Sequence, residues 1–185
     1  MQVTINFDDI YETESIEDGL TKVTFDAPQK DGSIMKLLVV LSKHSDPNLP
    51  NVFNMGFGPP DGAGGFKDNV RLWHQDLNKV FSTILFISLR FLNKYPGIAV
   101  GIDGSDDLRA RFYHRAFKHN REYLKDYFMP MGVDWYVRIF RNGNYDQNPD
   151  GSYIDKPKPE PFNYNRENRD LYRYYVFLLN RNINL

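Results

Sequence analysis

NKYPGIAVGIDGSDDLRARFYHR, residues 93–115, is the stretch from which the rest of the chain is best read. Pro96-Gly97 stops a helical pattern, Ile98–Ile102 is an apolar run of strand length, and Asp103-Gly104-Ser105 hands over to a second helical pattern at Asp106. A strand thus feeds a helix through a tight turn. On the N-terminal side, DLNKVFSTILFISLRFLNK, about Asp76–Lys94, is apolar on nearly every side, as suits a helix buried between a sheet and another layer. Further back, Val3–Phe7, Leu20–Phe25 and Ile34–Leu41 are rich in Val, Ile, Leu, Phe and Thr. Gly19, Pro28 and Asp31-Gly32 separate them, so they read as consecutive antiparallel strands in a meander. Pro47 and Pro50 precede a short fourth strand, Val52–Phe57, which runs into GFGPPDGAGGF, a surface loop.

On the C-terminal side the second helix is expected over about Asp106–Phe128, with Leu108, Phe112, Ala116, Tyr123 and Tyr127 on one face. Arg111, Arg115, Lys118, Glu122 and Lys125 occupy another face and form a basic stripe. Gly132–Phe140 and Tyr172–Leu179 read as two closing strands joined by a polar excursion at about residues 142–170, either a long hairpin arm or a disordered loop. The expected fold is a single α+β domain over residues 1–185. Its mainly antiparallel, curved sheet, an N-terminal meander plus a C-terminal hairpin, packs against two long helices.

Composition narrows the function classes. The 185 residues are 41% apolar and 25% charged with a mean hydropathy of −0.56, enough for a core and unlike a disordered chain. The longest mostly apolar stretch, Val80–Leu92, contains Ser82, Thr83, Ser88 and Arg90 and is too short for a membrane span. The acidic start MQVTINFDDIYETE does not read as a secretory signal, so a cytoplasmic location is expected. The absence of cysteine excludes disulfides, thiolate nucleophiles and cysteine metal sites. With 23 basic and 24 acidic residues, the chain is not a polycation that binds nucleic acid through bulk charge. The charge is nevertheless uneven. Residues 1–89 hold 7 basic and 12 acidic residues, and residues 90–185 hold 16 and 12.

LPNVFNMGFG, NKYPGIAVGIDGS and RARFYHR, together with the closing YYVFLLNRN, resemble a family of small bacterial proteins of unknown function. In that family a strand ending in Gly-Ser is followed by Arg-x-Arg-x-Tyr opening a helix. The likeness extends over most of Leu20–Asn182. This chain departs in carrying Asp106-Asp107 where small or neutral residues are usual, and in its longer polar arm. The resemblance supports the fold and implies no reaction.

The best candidate site is the turn and helix start, with Gly104, Ser105, Arg109, Arg111 and Tyr113 and the basic stripe of Arg115 and Lys118. A helix N-terminus offers free backbone N–H groups and the positive end of its dipole, and the arginines can clamp a phosphate or carboxylate beside them. Arg109 falls near the middle of the apolar face, an odd place for a charge unless it is paired or faces a ligand. A plainer explanation stands beside this one: Asp106 and Asp107 in the first turn favour the dipole and satisfy the arginines.

Other constellations are weaker. Asp8 or Asp9 with Asp103 would suit the two-metal centre of a ribonuclease-H-like nuclease, but the first helix has no glutamate to complete it and Val52–Phe57 intervenes. Asp146, Asn148, Asp150 and Gly151 begin like a calcium loop, yet Pro157 stands where the closing glutamate belongs, so a plain turn is expected even with Asp155 near. His44, His74, His114 and His119 show no zinc-ligand spacing. Gly56-x-Gly58 continues into neither a P-loop nor a dinucleotide turn, and Ser105 has no Gly-x-Ser-x-Gly context. The tyrosines and phenylalanine near the C-terminus, Tyr164, Tyr172, Tyr174, Tyr175 and Phe177, read first as core and second as a protein interface. The expected function is a non-catalytic binding or adaptor module for a protein partner or an anionic ligand, with no cofactor and no metal, nucleic acid being possible but not favoured. The metal-dependent nuclease is the alternative.

Overall fold

The structure, a computed structural model, describes residues 2–181 apart from residues 18, 69 and 105. Its strands are β1 (Thr13–Ser15), β2 (Lys22–Pro28), β3 (Ile34–Lys43), β4 (Val52–Gly58), β5 (Ala99–Asp103), β6 (Phe128–Val137), β7 (Asp155–Pro161) and β8 (Tyr174–Leu179). Its helices are α1 (Leu77–Lys94), α2 (Asp107–His119) and α3 (Arg121–Leu124). The strands form one sheet in the order β1-β2-β3-β4-β5-β8-β6-β7. Every pairing is antiparallel except β4 with β5, which are joined through α1. The fold is α+β, as the patterns predict.

The alternation of each strand explains the layers. Val23, Phe25, Leu37, Val39, Leu41, Met55, Val100, Ile102, Tyr175 and Phe177 project from one face into the main core, against α1 and α2. The opposite face carries a smaller cluster of Leu49, Val52, Ala99, Val133, Tyr174 and Val176. Asp76 caps α1 by accepting from the Lys79 N–H at 3.0 Å, and the helix buries Val80, Ile84, Ile87, Phe91 and Leu92. Tyr172, Tyr174, Tyr175 and Phe177 are all buried, so the C-terminal aromatics are core.

Two expectations are corrected. Val3–Phe7 is not a strand: it is an extended strap laid across the helices. The Thr4, Ile5, Asn6 and Phe7 N–H groups donate to Asn78 Oδ1, Asn120 Oδ1, Ser82 Oγ and Tyr123 Oη, and the Tyr11 N–H donates to Thr83 Oγ1. Val3, Ile5 and Phe7 alternate inward as in a strand, but helix side chains take the place of a neighbouring strand's backbone. The meander therefore starts at β1.

Secondly, the helix expected to reach Phe128 ends at His119. Asn120 breaks it, its Nδ2 donating to the carbonyls of Ala116 and Val3 while its Oδ1 receives Ile5. Tyr123 and Tyr127 thus do not continue the α2 face. The buried residues are Ala110, Tyr113, His114, Ala116 and Phe117, leaving Leu108 79% exposed. Of the two readings of the polar excursion, the structure takes the hairpin arm: β7 pairs with β6 from Val137↔Asp155 to Met131↔Pro161, and bridges at Ile139↔Tyr145 and Gln147↔Tyr153 extend it. Pro157, Pro159 and Pro161 alternate with the residues whose N–H groups the ladder requires, so they face outward and strip donors from the sheet edge.

Candidate functional site

The site grows from the one parallel pair. β4 and β5 pair over three residues, Val52↔Ala99, Phe53↔Val100 and Asn54↔Gly101. Beyond that point β4 follows β3 to Gly58 while β5 follows β8 to Asp103, so the carboxyl ends of the parallel strands part. Ligands in open sheets lodge at such a divergence. Here a cleft of about 710 Å³ opens between them, within the range of ligand pockets.

Its floor is built across four strands. Ser42 on β3 is the cross-strand partner of Asn54 on β4, and Tyr174 on β8 lies over Gly101 and donates to Asn54 Oδ1. Gly56 and Gly58 lower the floor so that Phe66 can fold back onto it; a Cβ at Gly56 would run into the Phe66 ring. His44 packs edge-on to Tyr174 at 5.2 Å, and its Nδ1 accepts the Asp46 N–H at 3.0 Å, which places the ring proton on Nε2. His74, bonded to Gln29 at 3.0 Å, also lines the cleft, and burial pushes its pKa down. Trp135 enters from β6, and Lys67, Asp68, Val70 and Leu72 come from the loop after β4.

The rim is the start of α2. Gly104 is the residue the close packing requires, since a Cβ there would approach Tyr175 Cε2 at 2.9 Å and Ala110 Cα at 3.2 Å. Its N–H donates to the Arg173 carbonyl at 2.9 Å. Asp106 caps the helix through the Arg109 N–H at 2.8 Å and also takes Arg109 Nε at 3.2 Å. Arg109 Nη2 reaches the Asp68 carbonyl at 3.3 Å, and Arg173 pairs with Asp107 at 2.7 Å. One turn further along α2, Tyr113 lines the cleft at 7% exposure, and its hydroxyl has no hydrogen-bond partner among the described residues. Burial raises its pKa; the Arg109 charge pulls the other way, and Asp103 and Asp106 add to the rise.

The expected site therefore divides. Arg109 and Tyr113 line the cleft, Gly104 is packed against Tyr175 and Ala110 beside it, and Ser105 lies outside the described residues. Arg111, Arg115 and Lys118 are exposed on the outer surface of α2; the last two flank Gln2 and His119 in a separate shallow groove. Sequence reasoning missed Ser42, His44, Asn54, Lys67, His74, Trp135, Arg173 and Tyr174. The Gly56-x-Gly58 spacing was the one available signal, marking strand positions over which another group packs.

The other constellations resolve differently. Asp9 is ion-paired with Lys79 at 2.7 Å beside the strap, whereas Asp103 lies at the cleft. The neighbour of β5 is the last strand of the meander, not the first, so Asp8 and Asp9 are not placed on the strand next to Asp103. No group of three or more His, Cys, Asp or Glu residues able to hold a metal occurs among the described residues. The calcium-like segment is a turn in which Asp150 Oδ1 accepts the Ser152 N–H and hydroxyl, and Asp146 pairs with Lys156 at 2.9 Å. No described helix is long and apolar enough to cross a membrane.

The profile of a family of unknown function, DUF6934, matches residues 8–148. The chain belongs to the DUF6934 family. The matched span contains β4, β5, α2 and the loop after β4, and thus most of the cleft, while Arg173 and Tyr174 lie beyond it. No curated protein and no solved structure matches the chain.

Proposed function

We propose that this DUF6934 protein is a cytoplasmic, non-catalytic binding module that holds a small anionic ligand, a phosphate or carboxylate compound, in the cleft between β4 and β5. The observation that carries this reading is Tyr113: the residue is 7% exposed, and its hydroxyl, without a partner among the described residues, opens into the cleft one helical turn from Arg109. A hydroxyl in that position is left to bond with whatever occupies the cleft. Lys67 supplies a further cation with no ion pair among the described residues, and α2 turns its N-terminal end toward the same space. Asp106 and Asp107 hold Arg109 and Arg173 in place, so that an anion in the cleft meets guanidinium groups already positioned at its rim.

The test is isothermal titration of the protein with inorganic phosphate, pyrophosphate and citrate, repeated with Arg109→Ala and Tyr113→Phe. At least one anion is expected to bind, with affinity falling roughly tenfold in Arg109→Ala, as loss of a charge-assisted hydrogen bond implies. Binding by neither wild type nor any variant at millimolar anion, or equal binding by all three proteins, overturns the reading.

A further inference from the structure

We infer that the cleft takes a phosphorylated heteroaromatic compound of the nucleoside monophosphate class. This rests on the anion reading and goes beyond it, because the cleft is larger and chemically more varied than a bare anion needs. Its volume of about 710 Å³ suits a ligand with a ring as well as a charge.

Two further features set the chemistry of the ring. Trp135 keeps 38% of its surface exposed at the cleft while Val133 and Tyr174, neighbours on the same sheet face, are buried. An indole left open beside a cavity offers a stacking face for a planar ring. On the floor, Ser42, Asn54 and His44 are neutral hydrogen-bonding groups and not charges. Tyr174 donates to Asn54 Oδ1, which leaves the amide NH₂ to donate, and the Asp46 N–H fixes the His44 proton on Nε2. Two donors of fixed orientation and a hydroxyl that can serve either way match the carbonyl and ring-nitrogen acceptors along a nucleobase edge. Arg109, Tyr113 and Lys67 are left for the phosphate.

The experiment titrates the full chain with the adenosine, guanosine, cytidine and uridine monophosphates, the four nucleosides, ribose 5-phosphate and inorganic phosphate. At least one nucleoside monophosphate is expected to bind ten times or more tightly than ribose 5-phosphate and than its own nucleoside. Trp135→Ala should erase the advantage over ribose 5-phosphate and Trp135→Phe should keep part of it, whereas Arg109→Ala should erase the advantage over the nucleoside. Trp135 is partly exposed, so unchanged circular dichroism and unfolding midpoint are expected and identify a folded variant. If ribose 5-phosphate binds as well as every nucleotide, the inference is overturned and the anion reading stands. If no phosphate compound binds, the inference is overturned, and the citrate titration decides the anion reading.

Discussion

Arg109 Nη2 donates to the main-chain carbonyl of Asp68 at 3.3 Å, so a single side chain ties the first turns of α2 to the loop that leaves β4. The loop is otherwise held by the Lys67 N–H to Pro59 carbonyl bond at 2.8 Å and by Phe66 against Gly56. Removing the arginine side chain should therefore loosen the loop without unfolding the domain. For Arg109→Ala we expect faster hydrogen exchange at Lys67 and a change in global stability of about 0–1 kcal/mol, as for other half-exposed ion pairs. Unchanged exchange at Lys67 would show that the loop does not depend on this contact.

Asn120 is the hinge between the strap and the helices. At 5% exposure it serves the Ile5 N–H at 2.8 Å and the carbonyls of Val3 and Ala116 at 2.9 and 2.8 Å. Asn120→Ala leaves the buried Ile5 N–H and the Val3 carbonyl without these partners, while the Ala116 carbonyl keeps the main-chain N–H of residue 120, at a cost of about 2–4 kcal/mol. Urea unfolding measures the loss, and Asn120→Asp, which keeps the acceptor but turns a buried carboxylate oxygen on the Val3 and Ala116 carbonyls, should be no more stable than the alanine variant. A loss below about 0.5 kcal/mol for the alanine variant would mean that water replaces the side chain, contrary to its burial.

The same residues show what the sequence could and could not reveal. Strands β2, β3, β4 and β5, helix α1 and the start of α2 are set by local apolar periodicity and by turn residues, and all were legible. The strap was not, because Val3, Ile5 and Phe7 alternate as strand residues do, and periodicity reports which side chains go inward but not which groups receive the backbone N–H donors. The early end of α2 was hidden for the same reason: Asn120 stops the helix by bonding to the strap, a partner distant in sequence. At the site, Arg109 and Tyr113 reach the cleft together because they lie one turn apart on one helix. His44, Lys67, His74 and Trp135 reach the cleft only through the sheet order and the course of one loop.

His114 gives the fold an acid-sensitive point. The ring is 5% exposed, packs 5.2 Å from Phe162, and neither nitrogen has a hydrogen-bond partner among the described residues. Burial lowers its pKa and the charges of Lys118 and Arg166 add to this; the nearby Tyr164 carbonyl pulls upward without reaching hydrogen-bonding geometry. The folded state thus holds the ring neutral, while the unfolded chain takes a proton near the ordinary histidine value of about 6.5. The stability this provides is complete above that value and is lost as the pH falls toward the folded pKa, by at most about 1.4 kcal/mol per pH unit for one proton. His74, whose pKa is also lowered by burial, contributes in the same direction. Unfolding midpoints measured between pH 7.5 and about 5 should fall less steeply for His114→Leu than for wild type; parallel curves would remove His114 as the source.

Gly101 is where β5 passes beneath Tyr174, and a Cβ there would collide with the phenol. Gly101→Ala should displace the ring, break its hydrogen bond to Asn54 and destabilise by about 1–3 kcal/mol, as overpacking of a close-packed site does. Tyr174→Phe keeps the ring in place and loses only the bond, so it should cost about 1 kcal/mol. If Gly101→Ala proves no worse than Tyr174→Phe, the crowding is relieved without moving the ring.

The β6–β7 ribbon is anchored by Arg166, whose side chain is only 12% exposed. Its Nη1 donates to Asp134 at 2.8 Å, its Nη2 to Glu160 at 2.8 Å, and the guanidinium lies 3.7 Å from the centre of the Tyr172 ring. Tyr172 in turn donates to Glu160 at 2.6 Å, and burial followed by that bond pushes its pKa up to about 12. Arg166→Met keeps much of the apolar stem but leaves Asp134 and Glu160 on one sheet face without their shared counter-charge. Because both carboxylates remain partly open to water, we expect a loss on the order of 2 kcal/mol, short of the roughly 3–5 kcal/mol for breaking a fully buried pair. Adding Asp134→Asn and Glu160→Gln to Arg166→Met removes the stranded charge and should restore most of the loss. A triple variant as unstable as the single one would show that Arg166 acts through its packing on Tyr172 and not through its charge.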